Sequence, residues 1–172
     1  MSNVVLLEPP LPAKPVPQPA YAELMTTSNF SFLRSGSHPE ELVSAAMHLG
    51  LTGLGICDRN SFAGVVRGHV VARDLKEQFP DFRYVVGVRL CFMEGTPDII
   101  AYPTDRDAYG RLCQLLTRGN LRGEKGNCQL TFEDLGDFAE GQLFIVQDEA
   151  RFECRLCHLP AGEENSVCGC AC

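Results

Sequence analysis

No stretch of this chain approaches the ~18 consecutive apolar residues that a bilayer-spanning helix requires, so no membrane helix is expected. The N-terminus has neither a basic start nor a sustained apolar segment followed by small residues, and the expectation is a cytoplasmic protein. Basic residues are also scarce: 15 Lys and Arg stand against 22 Asp and Glu, a formal charge of −7. Neutralising phosphates takes clustered cations, so the surface as a whole is excluded as a nucleic-acid platform, and any DNA contact is expected to be local or indirect. No internal repeat is visible. Gly53-Leu54-Gly55 is too short for a dinucleotide-binding Gly-x-Gly-x-x-Gly and reads as close backbone packing. Ser28, Ser31 and Ser61 have no nucleophile-elbow context and no His and acid companions, so no catalytic nucleophile is assigned.

What the chain does contain is enough apolar residue, 45% of 172, to bury one core. Six of the eleven prolines fall in residues 1–20, which removes backbone donors there and predicts an extended, polyproline-like tether. Cys57, Cys91, Cys113 and Cys128 sit singly in apolar segments and read as buried reduced thiols.

From Tyr21 onward, strand and helix signals alternate. Tyr21 to about Thr27 is a short strand. Ser37-His38-Pro39-Glu40 has the spacing of a capping box, and Leu42, Ala45, Ala46 and Leu49 then share a helical face ending near Gly50. Leu51 to Cys57 predicts a buried strand, and Asn60 is expected to cap a helix carrying Val65, Val66, His69, Val70 and Ala72 to about Gln78. Arg83–Phe92 and Asp98–Tyr102 read as strands joined at Glu94-Gly95-Thr96-Pro97. Asp105 or Asp107 opens a helix with Tyr109, Leu112, Leu115 and Leu116 on one side, and Leu143–Val146 is a last strand. This alternation predicts an α/β fold with a mainly parallel sheet or barrel.

Three segments in this order, Glu23-Leu-Met-Thr-Thr-Ser-Asn-Phe-Ser-Phe-Leu33, Ser37-His-Pro-Glu-Glu-Leu-Val43 and Leu54-Gly-Ile-Cys-Asp-Arg-Asn-Ser-Phe-Ala-Gly64, resemble the PHP (polymerase and histidinol phosphatase) domain that opens bacterial polymerase III alpha-type subunits. Gly95-Thr-Pro-Asp-Ile-Ile-Ala-Tyr-Pro-Thr-Asp105 and the residues up to Asn120 are similar to the error-prone, damage-tolerant branch. The resemblance covers about Tyr21 to Val146 and implies a partial PHP-type distorted β/α barrel, an incomplete version of a seven-stranded barrel, with the site at the carboxyl ends of the strands.

The resemblance also implies where metal ligands would stand. Met25 and Thr27 occupy the His-x-His places, Asp58-Arg59 the Asp-His pair, and Arg89 an acidic position, so only Asp58 keeps a ligand type. One carboxylate does not hold a transition metal, and a fixed guanidinium ~5 Å from a divalent ion is repelled by about 6 kcal/mol at an effective dielectric of ~20. The expectation is a metal-free, non-catalytic pocket in which Arg59 and Arg89 pair with Asp58. The implied parent is a DNA polymerase using magnesium in segments this chain does not contain. The fragment itself would need no cofactor, and its partners would be the remaining polymerase chain and other replication and repair proteins.

The alternatives are a metal-dependent phosphoesterase or exonuclease, or a zinc-binding interaction module. His38, His48 and His69 read as packing or surface residues. Arg118, Arg122 and Lys125, with Arg111, form the one locally basic stretch and are candidate phosphate contacts. Cys154, Cys157, Cys168 and Cys170, with Cys172, superficially resemble a zinc site, but their spacing is irregular. Residues 148–172 break from the preceding composition and are expected to be an out-of-frame or otherwise altered ending to a domain spanning 21–147.

Overall fold

The computed structural model describes residues 20–146. The expected polyproline tether and the cysteine-rich ending, with zinc candidates Cys154, Cys157, Cys168 and Cys170, lie outside the described residues. Five strands, β1 Ala22–Thr26, β2 Gly53–Arg59, β3 Arg83–Leu90, β4 Ile99–Pro103 and β5 Gln142–Val146, form one sheet in sequential order. Four helices connect them: α1 Pro39–His48, α2 Val65–Asp74, α3 Arg106–Arg122 and α4 Phe132–Phe138.

The sheet is mixed, not mainly parallel. β1, β2 and β3 run parallel through helical crossovers, whereas β3–β4 and β4–β5 are antiparallel. The first reversal follows from the short turn at Glu94–Pro97, where Gly95 takes φ +70°, a region closed to most residues. The second arises because α3 and α4 fold back on each other. The chain therefore re-enters beside the end it left, pairing Pro103 with Gln142.

Alternation along the strands sorts the core onto two faces. Leu54 and Ile56 of β2 pack with Val43, Ala46 and Met47 of α1 and with Phe82, while Val88, Leu90, Ile99 and Ala101 pack with Leu112, Leu115, Leu116 and Leu135. Each such fully buried side chain contributes roughly 1.5–3 kcal/mol relative to exposure. On the opposite face, Tyr102 of β4 reaches across the sheet and donates its hydroxyl hydrogen bond to the Leu24 carbonyl of β1. Its hydroxyl also lies 2.8 Å from Cys57 Sγ. The ring lies over Gly87, where a Cβ would stand 2.5 Å from Tyr102 Cε1 and 2.8 Å from Cys57 Sγ, so glycine there is what lets the aromatic cross. Burial pushes the Cys57 thiol up to about 12, which keeps it protonated and unreactive near neutral pH.

Several local expectations change. His38, not Ser37, caps α1, its N–H donating to Glu41 Oε2 at 2.9 Å, because Pro39 occupies the first helical position. α2 begins after Gly64 and ends at Asp74, and Val66 and Val70 face solvent while Val71, Ala72 and Leu75 turn inward. The predicted helix α3 is capped by Asp105, whose carboxylate accepts from Ala108 N at 2.7 Å. α4 was not anticipated, although Thr131-x-x-Asp134 is a reciprocal cap: Asp134 N donates to Thr131 Oγ1 at 3.2 Å and Thr131 N to Asp134 Oδ2 at 2.9 Å.

Candidate functional site: an arginine-lined cavity at the strand ends

The parallel register of β2 and β3 places Arg59 beside Arg89 at the carboxyl ends of the two strands. Both belong to the Cys57/Gly87 alternation, so they project to the Tyr102 face and not toward the helices. Immediately after Arg59 the chain turns through Asn60 at φ +46°, a left-handed conformation that Asn tolerates better than most residues. The Asn60 side chain then bridges to β3: Cys91 N donates to Asn60 Oδ1 at 2.9 Å and Asn60 Nδ2 donates to the Cys91 carbonyl at 3.2 Å. Asn60 N also donates to the Arg89 carbonyl at 2.9 Å. Asn60 is therefore a clamp between strand ends and not a helix cap.

Arg59 and Arg89, with Thr27, Ser31, Arg34 and Asp98, line a cavity of about 300 Å³. Arg34 comes from the loop after β1, where Arg34 N donates to the Ser31 carbonyl at 2.9 Å and Leu33 adopts φ +62°. Among the described residues, no ion pair within 4.0 Å closes on Arg34, Arg59 or Arg89. Among the described residues, the buried Arg89 Nε has no hydrogen-bond partner.

Asp58 is placed otherwise than expected. It alternates with Arg59 to the other side of β2, is only 2% exposed, and accepts from Ser28 N at 2.8 Å, Ser28 Oγ at 2.7 Å and Ser31 Oγ at 2.8 Å. Ser31 Oγ in turn accepts from Arg59 N at 2.9 Å. Gly64 closes over the carboxylate, since a Cβ there would meet Asp58 Oδ2 at 3.0 Å. The expected pairing of Asp58 with Arg59 and Arg89 is therefore corrected: three neutral donors satisfy its charge, and its work is to pin the Ser28–Arg34 loop to the end of β2.

The structure brings Thr27, Arg59 and Arg89 together, and leaves out two of the five positions considered as degenerate metal ligands. Met25 is 42% exposed on β1 and does not line the cavity, and Asp58 faces away. Arg34 and Asp98, which sequence reasoning missed, complete the lining. Asp98 was legible only as the start of a strand.

A metal does not fit this lining. Among the described residues no group of three or more His, Cys, Asp or Glu is placed to hold an ion, and three guanidiniums oppose one carboxylate at the strand ends. Arg118 and Arg122 lie elsewhere and are already committed. Arg122 grips Asp134 with both terminal nitrogens, at 2.6 and 2.9 Å, while Arg118 pairs with Asp137 at 2.6 Å and stacks over Phe138 at 4.6 Å. These contacts fix α4 against α3, a different role from the phosphate contact considered for them. Lys125 is exposed in the following loop. The Arg122 guanidinium, with Thr131, holds the Asp134 carboxyl well below its ordinary value although burial opposes this.

With this geometry in place, comparison with known proteins assigns the class. The PHP domain matches residues 23–161, most of the chain. The chain belongs to the PHP domain family. It is 57% identical over 122 residues to an error-prone DNA polymerase of Rhodopseudomonas palustris, covering 71% of this chain and 10% of that one. It is 54% identical over 128 residues to an error-prone DNA polymerase of Caulobacter vibrioides, covering 74% and 11%. The chain thus spans about a tenth of the length of these curated relatives. A solved amidohydrolase from Chromobacterium violaceum is similar at 19% identity and TM-score 0.47, over 59% of this chain and 34% of that one.

Proposed function

We propose that this chain is a metal-free, non-catalytic PHP domain of an error-prone DNA polymerase, acting as structural support in damage-tolerant synthesis. The observation that carries this reading is that Arg59 and Arg89 line one cavity, at positions where the resemblance implies cation-binding side chains. A water activated by a metal needs an ion held by several donors, and this lining repels one. Nucleotidyl transfer with magnesium is then the work of the remaining polymerase, the principal partner, alongside other replication and repair proteins in the cytoplasm. DNA is met indirectly. Among the described residues, no helix is long and apolar enough to cross a membrane.

The test measures manganese- and zinc-stimulated cleavage of a phosphodiester and of a DNA 3′ end by the purified chain, with metal content determined alongside. No cleavage above buffer and less than a tenth of an equivalent of bound metal are expected. Metal-dependent cleavage lost in Asp98→Asn, the one carboxylate lining the cavity, would establish the phosphoesterase alternative instead.

A further inference from the structure

We propose that the cavity of Arg34, Arg59 and Arg89 has reversed its charge preference and seats a phosphate-type oxyanion where a metal-binding PHP domain would hold cations. This rests on the metal-free reading above, and goes further by naming what the cavity takes in place of a metal.

The charge is directional. Three guanidiniums and one carboxylate line the cavity, an excess of two positive charges within a chain whose total is −7. Planar guanidinium forks match tetrahedral oxyanions with paired N–H donors, a geometry that ammonium groups do not offer. Among the described residues Arg89 Nε is a buried donor with no partner, and no acid pairs with the Arg89 guanidinium.

The arrangement is also held in advance. The Arg59–Arg89 register and the Asn60 clamp on Cys91 fix the backbone positions of these two arginines side by side. Asp58, through Ser28 and Ser31, fixes the loop that carries the third. Like charges so arranged repel one another until an anion enters, so ligand binding relieves a repulsion built into the free protein. The volume of about 300 Å³ is at the small end of ligand cavities and accommodates a phosphate group with little attached to it.

Asp98 adds selectivity. A carboxylate only accepts hydrogen bonds; hydrogen phosphate carries a proton to donate to it and sulfate carries none. Phosphate is therefore preferred over sulfate, while the Thr27 hydroxyl supplies a neutral donor on the β1 side.

Titration calorimetry of the whole chain with inorganic phosphate, sulfate and chloride at matched ionic strength tests this. Saturable phosphate binding is expected, tighter than sulfate, weakened tenfold or more by Arg89→Gln and by Arg59→Gln and unchanged by Arg122→Gln. Asp98→Asn should narrow the preference for phosphate over sulfate. If Arg89→Gln does not fold, Arg59→Gln and Arg34→Gln, at solvent-exposed positions, carry the comparison. A 5′-phosphorylated oligonucleotide that displaces inorganic phosphate, while its unphosphorylated twin does not, identifies a nucleic-acid end as the source. If neither oligonucleotide competes, a small free anion is the ligand. The proposal is overturned if phosphate binds no better than chloride, or if Arg122→Gln weakens it as much as Arg59→Gln. Binding of neither phosphate nor manganese sinks the anion site alone, whereas manganese-dependent cleavage sinks the metal-free reading beneath it.

Discussion

Two arginine clusters in this domain have opposite fates. Arg118 and Arg122 project from α3 onto Asp134 and Asp137 of α4, where their charge is met within 2.6 Å. Arg34, Arg59 and Arg89 converge on a cavity that Asp98 also lines, yet among the described residues no carboxylate comes within 4.0 Å of their guanidiniums. The first cluster is the more conspicuous in sequence, since its cations are close together along the chain, yet it is spent on holding a helix. The second is scattered over 56 positions, as its numbers from 34 to 89 show, and is assembled only by the sheet. Density of charge along a chain is thus a poor guide to a site. What matters is whether the fold supplies a counter-charge.

The largest expected effect concerns the residue that separates the two situations. Asp58 is a buried carboxylate satisfied wholly by neutral donors, so Asp58→Ala leaves the Ser28 amide and the Ser28 and Ser31 hydroxyls without their acceptor. Hydrogen bonds to a charged group contribute more than neutral ones, and a loss of about 3 kcal/mol is expected in urea unfolding. Truncating the exposed Arg122 should cost clearly less, because solvent screens that pair. If Asp58→Ala costs no more than Arg122→Ala, Asp58 does not anchor the loop and the contrast between the clusters fails.

The next effect separates the clusters by pH. The Asp134 carboxyl is depressed below its ordinary value of 3.8, first by Arg122 and then by Thr131, with burial working against them. A depressed acid stabilises the fold above its unfolded value, and that contribution fades as pH falls through the folded one. Asp134→Asn should therefore lose roughly 1–2 kcal/mol at neutral pH, and the gap to the parent should shrink below about pH 3. An equal gap at both pH values would mean that packing of α4, and not its charge, is what Asp134 provides.

Much of the architecture was legible because hydrophobic spacing and turn chemistry act locally. The Gly95 turn, a helix opening at Asp105 or Asp107 and the Leu112, Leu115 and Leu116 face were all readable, and so was a partial barrel through the likeness to PHP domains. The antiparallel entry of β5 was not, since it depends on how α3 and α4 pack against each other. α4 went unseen although Thr131 and Asp134 carry its cap; at seven residues it is too short for an apolar stripe to show. In the site, Arg59 and Arg89 were identified by position but given the wrong partner. Strand alternation decides that point: adjacent residues such as Asp58 and Arg59 face opposite sides of a sheet, and a sequence-level pairing of neighbours ignores this. Arg34 and Asp98 join the cavity through tertiary contact alone.

The smallest effect gives the sharpest contrast, because it differs in sign. Arg59 and Arg89 are in register on parallel strands and face the same way, so their mutual repulsion opposes folding by an amount on the order of 0.2–1 kcal/mol. Arg89→Gln keeps polarity at the mouth and removes that repulsion, so in low salt free of multivalent anions the variant should be slightly more stable than its parent. Arg122→Gln removes an attraction and should be less stable under the same conditions. Added sodium chloride screens both interactions. The Arg89→Gln advantage should then shrink as the parent's repulsion is relieved, and the Arg122→Gln deficit should shrink as the parent's attraction is lost, so the two differences approach zero from opposite sides. Urea midpoints of the three proteins across a salt series measure this directly. If both variants are destabilised at low salt and converge on the parent from the same side, Arg89 has a counter-charge after all and the cavity is not short of an anion.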